Sequence, residues 1–101
     1  MNLRGLLDKV KRAFLTPSLK ANLRTEVRSQ VAIAVDRYAP SPSKIAECLT
    51  DWLYRRLGSN VIAGIVVSKL QLKIEEIFAQ WADRDARIDQ LCLYINGRLG
   101  L

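Results

Sequence analysis

The apolar positions of the chain recur with a helical period. Near the N-terminus Leu3, Leu6, Leu7, Val10 and Phe14 fall on one face, and Arg4, Asp8, Lys9, Lys11 and Arg12 on the other. Spacings of three and four residues predict an amphipathic helix over residues 1–15. Thr16 and Pro17 follow, an N-cap residue and a proline suited to a first helical position. A second helix is therefore expected from Pro17 to about Tyr38, with Leu19, Leu23, Val27, Val31, Ala34 and Tyr38 as its seam. Residues 31–35 are apolar nearly all round, which predicts deep burial there.

Ala39, Pro40, Ser41, Pro42 and Ser43 interrupt the pattern, because prolines restrict the residue before them and cannot continue a hydrogen-bonded helix. Ser41 or Ser43 can cap a third helix from Pro42 to Leu57. Ile45, Leu49, Trp52, Leu53 and Arg56 share its face, and Asp51 with Arg55 forms a favourable i, i+4 pair. Gly58, Ser59 and Asn60 stop it.

Beyond Asn60 two readings compete. Val61, Ile62, Ile65, Val66 and Val67 are β-branched, as in a strand or hairpin. A longer window favours a helix: Val67, Ile74, Trp81, Ile88 and Ile95 recur every seven residues, and Leu70, Ile77 and Leu91 fill the intermediate positions. Arg84 is the exception among them. One long helix is expected over residues 60–96, bent near residues 83–85 and on the order of 50 Å in length. Asn96 and Gly97 would end it in a left-handed cap, or else form a hairpin turn over residues 92–101. The expected fold is all-α: a single-domain small helical bundle of three shorter helices and one long C-terminal helix.

A second heptad stripe, Leu72, Ala79, Ala86 and Leu93, runs opposite the main seam. A solvent-facing position there would be polar. Either the local bundle wraps both faces, or another copy or another protein covers one. The interface expectation therefore names Ile74, Ile77, Trp81, Arg84, Ile88, Leu91 and Ile95 on the main seam and Leu72, Ala79, Ala86 and Leu93 on the second. Arg56 and Arg84 lie on otherwise apolar faces and are each expected to find a charged partner, with Arg84 setting register.

Composition narrows the function. The 101 residues are 50% hydrophobic and 26% charged, with a net charge of +6, a balance suited to a globular chain. There is no histidine and there are only two cysteines, Cys48 and Cys92, so the usual zinc ligand sets cannot be assembled. The two thiols are read as free and buried, with a bridge as the alternative. No glycine-rich phosphate loop is present. Glu75, Glu76, Asp83 and Asp89 fall at outward positions, as a solvated face would. An enzyme is not expected, nor a cofactor, a metal or a small-molecule substrate. The longest uncharged run, residues 57–68, is too short to cross a bilayer. The N-terminus lacks the apolar core of a secretory signal, and Asp8 argues against a transit peptide. The expected compartment is cytoplasmic.

The charge is uneven. Residues 1–28 hold seven basic and two acidic side chains, whereas residues 29–101 hold nine and eight. Lys20, Arg24 and Arg28 fall at i, i+4, i+8. With Arg4, Lys11 and Arg12 they could contact phosphates or an acidic partner; their aliphatic stems could equally cover the neighbouring seam. The leading expectation is a non-catalytic interaction protein that self-associates, forming a homo-oligomer, or docks as an adaptor or structural component in a larger assembly. The N-terminal helix would be its docking arm or pack on its own bundle. A sequence-nonspecific, basic helical nucleic-acid-binding protein is the alternative, and a peripheral membrane protein held by residues 2–15 the third.

Overall fold

A computed structural model describes residues 17–58 and 67–101. The N-terminal amphipathic segment, the Thr16 cap and the β-branched run over residues 59–66 lie outside the described residues. Four helices follow in order: α1 (Pro17–Tyr38), α2 (Pro42–Leu57), α3 (Val67–Gln80) and α4 (Arg84–Leu99). The described residues contain no strand, and the helices form a small all-α bundle. α1 packs on α2 and α4, α2 on α3, and α3 on α4, so each helix has two neighbours around one core.

Local chemistry explains the boundaries. α1 begins at Pro17 and closes at Tyr38, and a cis Ala39–Pro40 peptide lies in the turn after it. The Ser41 hydroxyl caps α2, accepting from the Lys44 N–H at 3.5 Å. Gly58 ends that helix at φ 79°, a left-handed backbone that an L side chain would strain.

The core takes Leu23, Val27, Val31, Ala34 and Val35 from α1, and Ile45, Ala46, Leu49 and Leu53 from α2. α3 adds Leu70, Ile74 and Ile77, and α4 adds Ile88, Leu91, Cys92 and Ile95. Of the seams read from the sequence, Leu23, Val27, Val31, Ala34, Ile45, Leu49 and Leu53 are buried, Leu19, Tyr38 and Trp52 only half-buried, and Arg56 exposed, because it reaches out to pair with Glu26. Residues 31–35 are not wrapped on all sides, since Ile33 is 44% exposed.

The expected long C-terminal helix is instead two helices. Residues 81–83 interrupt it, and α4 folds back along α3. Lys73 Nζ lies 5.8 Å from the centroid of the Tyr94 ring, whereas the corresponding Cα atoms of a straight helix would stand ~31 Å apart. Asp83 causes the new start: it has extended backbone at φ −74° and ψ 133°, and its carboxylate accepts from the Ala86 N–H at 3.0 Å. Arg87 closes the end of α3, donating through Nε to the Trp81 carbonyl and through Nη2 to the Phe78 carbonyl at 3.2 Å. Its guanidinium also lies 4.1 Å from the Phe78 ring centroid. These contacts satisfy carbonyls that a helix end leaves orphaned.

Trp81 consequently sits at the corner, 42% exposed, rather than in a seam. The C-terminal stop also differs from expectation. Asn96 and Gly97 stay helical, and Gly100 takes the left-handed cap at φ 72° and ψ 29°. Leu101 N–H then donates to the Asn96 carbonyl at 2.8 Å, which removes the hairpin alternative.

This packing sets an order of stability effects. Leu91→Ala should destabilise by about 2–5 kcal/mol, and Trp81→Ala by less than about 2 kcal/mol. Urea unfolding of the two variants checks the order; equal losses would place Trp81 in the core.

Candidate functional site

Three surface features bear on function: the outer faces of α3 and α4, the basic side of α1, and a groove between α1 and α4. On the main heptad seam, Ile74, Ile77, Ile88, Leu91 and Ile95 are each at most 3% exposed. The chain's own helices cover them. The second stripe behaves differently. Leu72 is 64% and Leu93 66% exposed, the highest values among the large apolar side chains of the described residues. Ala79 is exposed and Ala86 half-buried. Because the chain folds back at residues 81–83, this stripe is divided: Leu72 and Ala79 lie on α3, Ala86 and Leu93 on α4.

Arg84 does not sit in a helix seam. It is a surface clamp at the start of α4, donating through Nε to Asp36 Oδ1 at 2.5 Å and through Nη2 to Asp36 Oδ2 at 2.7 Å. Its Nη1 also donates to Asp85 at 2.8 Å. The fork ties α4 to α1. The hydrogen bond to Arg84 holds the Asp36 carboxyl below its ordinary value of 3.8, and the same bond raises Arg84. Arg56 finds its partner in Glu26, with Nε to Oε2 at 3.0 Å, which ties α2 to α1. Asp51 and Arg55 pair at 3.0 Å as the spacing predicts.

The basic stripe is only partly open. Arg28 Nη1 lies 2.7 Å from Asp89 Oδ1 across the α1–α4 junction, and that bond raises the Arg28 pKa. Lys20 and Arg24 make no ion pair among the described residues. Arg4, Lys11 and Arg12 lie outside them.

Beside the Arg28–Asp89 pair a groove of about 710 Å³ runs between α1 and α4. Ala21, Thr25, Ser29 and Ala32 line its α1 side together with Arg24 and Arg28, and Cys92 and Asn96 line its α4 side. The Thr25 hydroxyl donates to the Ala21 carbonyl at 3.1 Å, so its hydrogen bond is spent on its own helix. The Asn96 Oδ1 is enclosed and accepts no hydrogen bond among the described residues. Cys48 and Cys92 are both free thiols. Burial pushes the Cys92 thiol up, against a smaller opposing pull from Arg28, so the neutral thiol is favoured and nucleophilicity is low.

Among the described residues, no three His, Cys, Asp or Glu side chains are grouped to hold a metal ion, and no helix is long and apolar enough to cross a membrane. Comparison with protein-family models, curated proteins and solved structures finds no match. The groove was not visible in the sequence. The i, i+4, i+8 run of Ala21, Thr25 and Ser29 was the signal available for its α1 wall. Asp36, Glu26 and Asp89 had none, because their partners lie 30 or more residues away in the chain.

The Asp36 pair has a pH dependence with a definite sign. A carboxyl whose folded pKa lies below its unfolded value stabilises the fold above the unfolded value, and the contribution is lost as pH falls through the folded one. Wild type should therefore exceed Asp36→Asn in stability at pH 6, and the difference should begin to shrink only as pH falls below the unfolded value of about 4 and close below the folded one. Thermal unfolding followed from pH 6 to well below about pH 4 checks this; a gap that persists or widens at the acid end would contradict the Arg84 clamp.

Proposed function

We propose that the chain is a non-catalytic helical interaction protein that self-associates or docks as a small structural component of a larger assembly. The observation that carries this reading is the exposure of Leu72 and Leu93, 64% and 66%, on outward faces of adjacent helices. Helices covered on only one side usually carry polar residues there, and apolar side chains gathered into one exposed patch, unlike those scattered singly, mark contact surfaces. The stability of the bundle does not depend on them, since the core is filled by other residues.

A second reading, nonspecific binding to nucleic acid, is favoured by one observation: Lys20 and Arg24 carry charges that no acidic side chain of the described residues answers. It is the weaker reading because Arg28, the third member of the stripe, is engaged by Asp89.

Two measurements separate them. Light scattering after size exclusion should give wild type a mass above the 11.4 kDa monomer, and Leu72→Glu with Leu93→Glu should return it to monomer with unchanged helix content. A monomer at every soluble concentration, with solubility indifferent to the two leucines, would contradict self-association. For duplex DNA, each phosphate neutralised contributes a log–log salt slope of about −0.9. Replacing Lys20 and Arg24 by alanine should remove about two such units only if the second reading holds. Tight duplex binding at physiological salt, lost in that variant, would replace the first reading with the second.

A further inference from the structure

We propose that the groove between α1 and α4 docks an acidic amphipathic helix, about three turns long, from a partner protein. The inference rests on the interaction reading and gives it a surface and a partner chemistry.

Shape comes first. Ala21, Thr25 and Ala32 present small side chains to the groove, so a second helix can approach the α1 backbone closely. From Ala21 to Ala32 they span twelve residues of helix, eleven rises or ~16 Å, which sets the length of the occupant. The Thr25 hydroxyl is turned onto its own helix, which leaves its methyl group available to the groove. Leu93, 66% exposed, lies on the outward face of α4 beyond the rim of the groove. A helix seated here would meet apolar surface along its centre, the mode in which one amphipathic helix occupies another protein's groove.

Charge decides the flanks. Among the described residues the acidic side chains are already engaged: Glu26, Asp36, Asp51, Glu76, Asp85 and Asp89 in ion pairs, Asp83 in its cap and Glu75 with Gln71. Glu47 is the one left over. Arg24, in the groove, and Lys20, one turn before it, have no such partner. The unanswered field is positive, so an acidic helix complements it. A second copy of the same surface would bring like charges together. A phosphate backbone fits less well, because Ala21, Ala32 and Cys92 line much of the groove and offer a phosphate no hydrogen bond.

The probe is a synthetic fifteen-residue peptide, acetylated and amidated, with leucines every three or four residues and glutamates elsewhere; the control replaces glutamate by lysine. The full chain is titrated and its amide resonances are followed by NMR. The glutamate peptide should bind saturably, with shifts centred on Ala21, Thr25, Ala32 and Asn96, and the lysine peptide should bind at least about tenfold more weakly. Arg24→Glu should weaken binding about tenfold or more. Thr25→Trp should block it, and Ser29→Trp should do the same if the first variant loses helix content. Absence of saturable binding, equal binding of both peptides, or indifference to Arg24→Glu would overturn the groove. If shifts centre instead on Leu72, or if no peptide binds while Leu72→Glu and Leu93→Glu change the scattering mass, the groove fails and the interaction reading stands. If neither occurs, both fail. A DNA duplex that displaces the peptide and produces the same shifts would also overturn an acidic helix as the occupant.

Discussion

Reversal of the chain at residues 81–83 is the constraint on which the bundle depends. Without it, the apolar positions of α3 and α4 would lie along one rod, and α1 and α2 together could not cover its length. With it, Ile74 and Ile77 on one arm and Ile88, Leu91 and Ile95 on the other enter the same core. Two side chains, three and six residues beyond Trp81 in the case of Arg84 and Arg87, hold the reversal with help from Asp83. Asp83 opens α4, Arg87 closes α3 over Phe78, and Arg84 fastens the corner to Asp36 on α1. The individual bonds are exposed and each is modest. Their effect is geometric: they choose between two arrangements of the same apolar pattern.

Much of the bundle could be read from spacing. The bounds of α1 and α2, the Ser41 cap and the buried halves of the heptad seam follow from three- and four-residue periods and from proline and glycine. The break did not, for a physical reason. Periodicity records which face of a helix is apolar, not whether the helix is continuous, and an interruption that preserves phase leaves no mark on it. Neither Gly nor Pro stands at residues 81–83. The remaining signs were Asp83, a good N-cap, and two outliers in the seam, Trp81 and Arg84. Read as a register-setting charge, Arg84 supported the rod; in the structure it belongs to the turn. Near the C-terminus the Asn96–Gly97 pair looked like a stop, yet Gly100 one turn later gives the left-handed cap with both orphan carbonyls within reach.

The surface was less legible than the core. From the sequence, Leu72 and Leu93 belonged to a second apolar face that either the chain's own bundle or a partner would cover; the bundle leaves them exposed, and their division between two helices left no mark in the spacing. Charge neutralisation over long sequence distances, as in Arg28 with Asp89 or Arg56 with Glu26, leaves no trace in local spacing. It nevertheless changes the functional argument: it reduces the apparent basic stripe to Lys20 and Arg24 and leaves a positive field beside an apolar groove. The proposed interaction protein with an acidic helical partner would account for the small residues of α1 and the unanswered charge together.

The most direct measurement of the central claim is the intramolecular distance between residues 72 and 93, both exposed, with the labelled chain diluted into excess unlabelled chain. They are 21 residues apart. Leu72→Cys with Leu93→Cys, in a background with Cys48 and Cys92 replaced by alanine or serine, would be labelled and examined by pulsed electron resonance. A reversal at residues 81–83 places the two backbones side by side, with helix axes about 8–10 Å apart and the labels within about 20–25 Å of each other. A continuous helix separates the backbones by ~31 Å and the labels by a similar or greater distance. A narrow distribution at the short distance is the result this account predicts; a single peak beyond about 30 Å would contradict it.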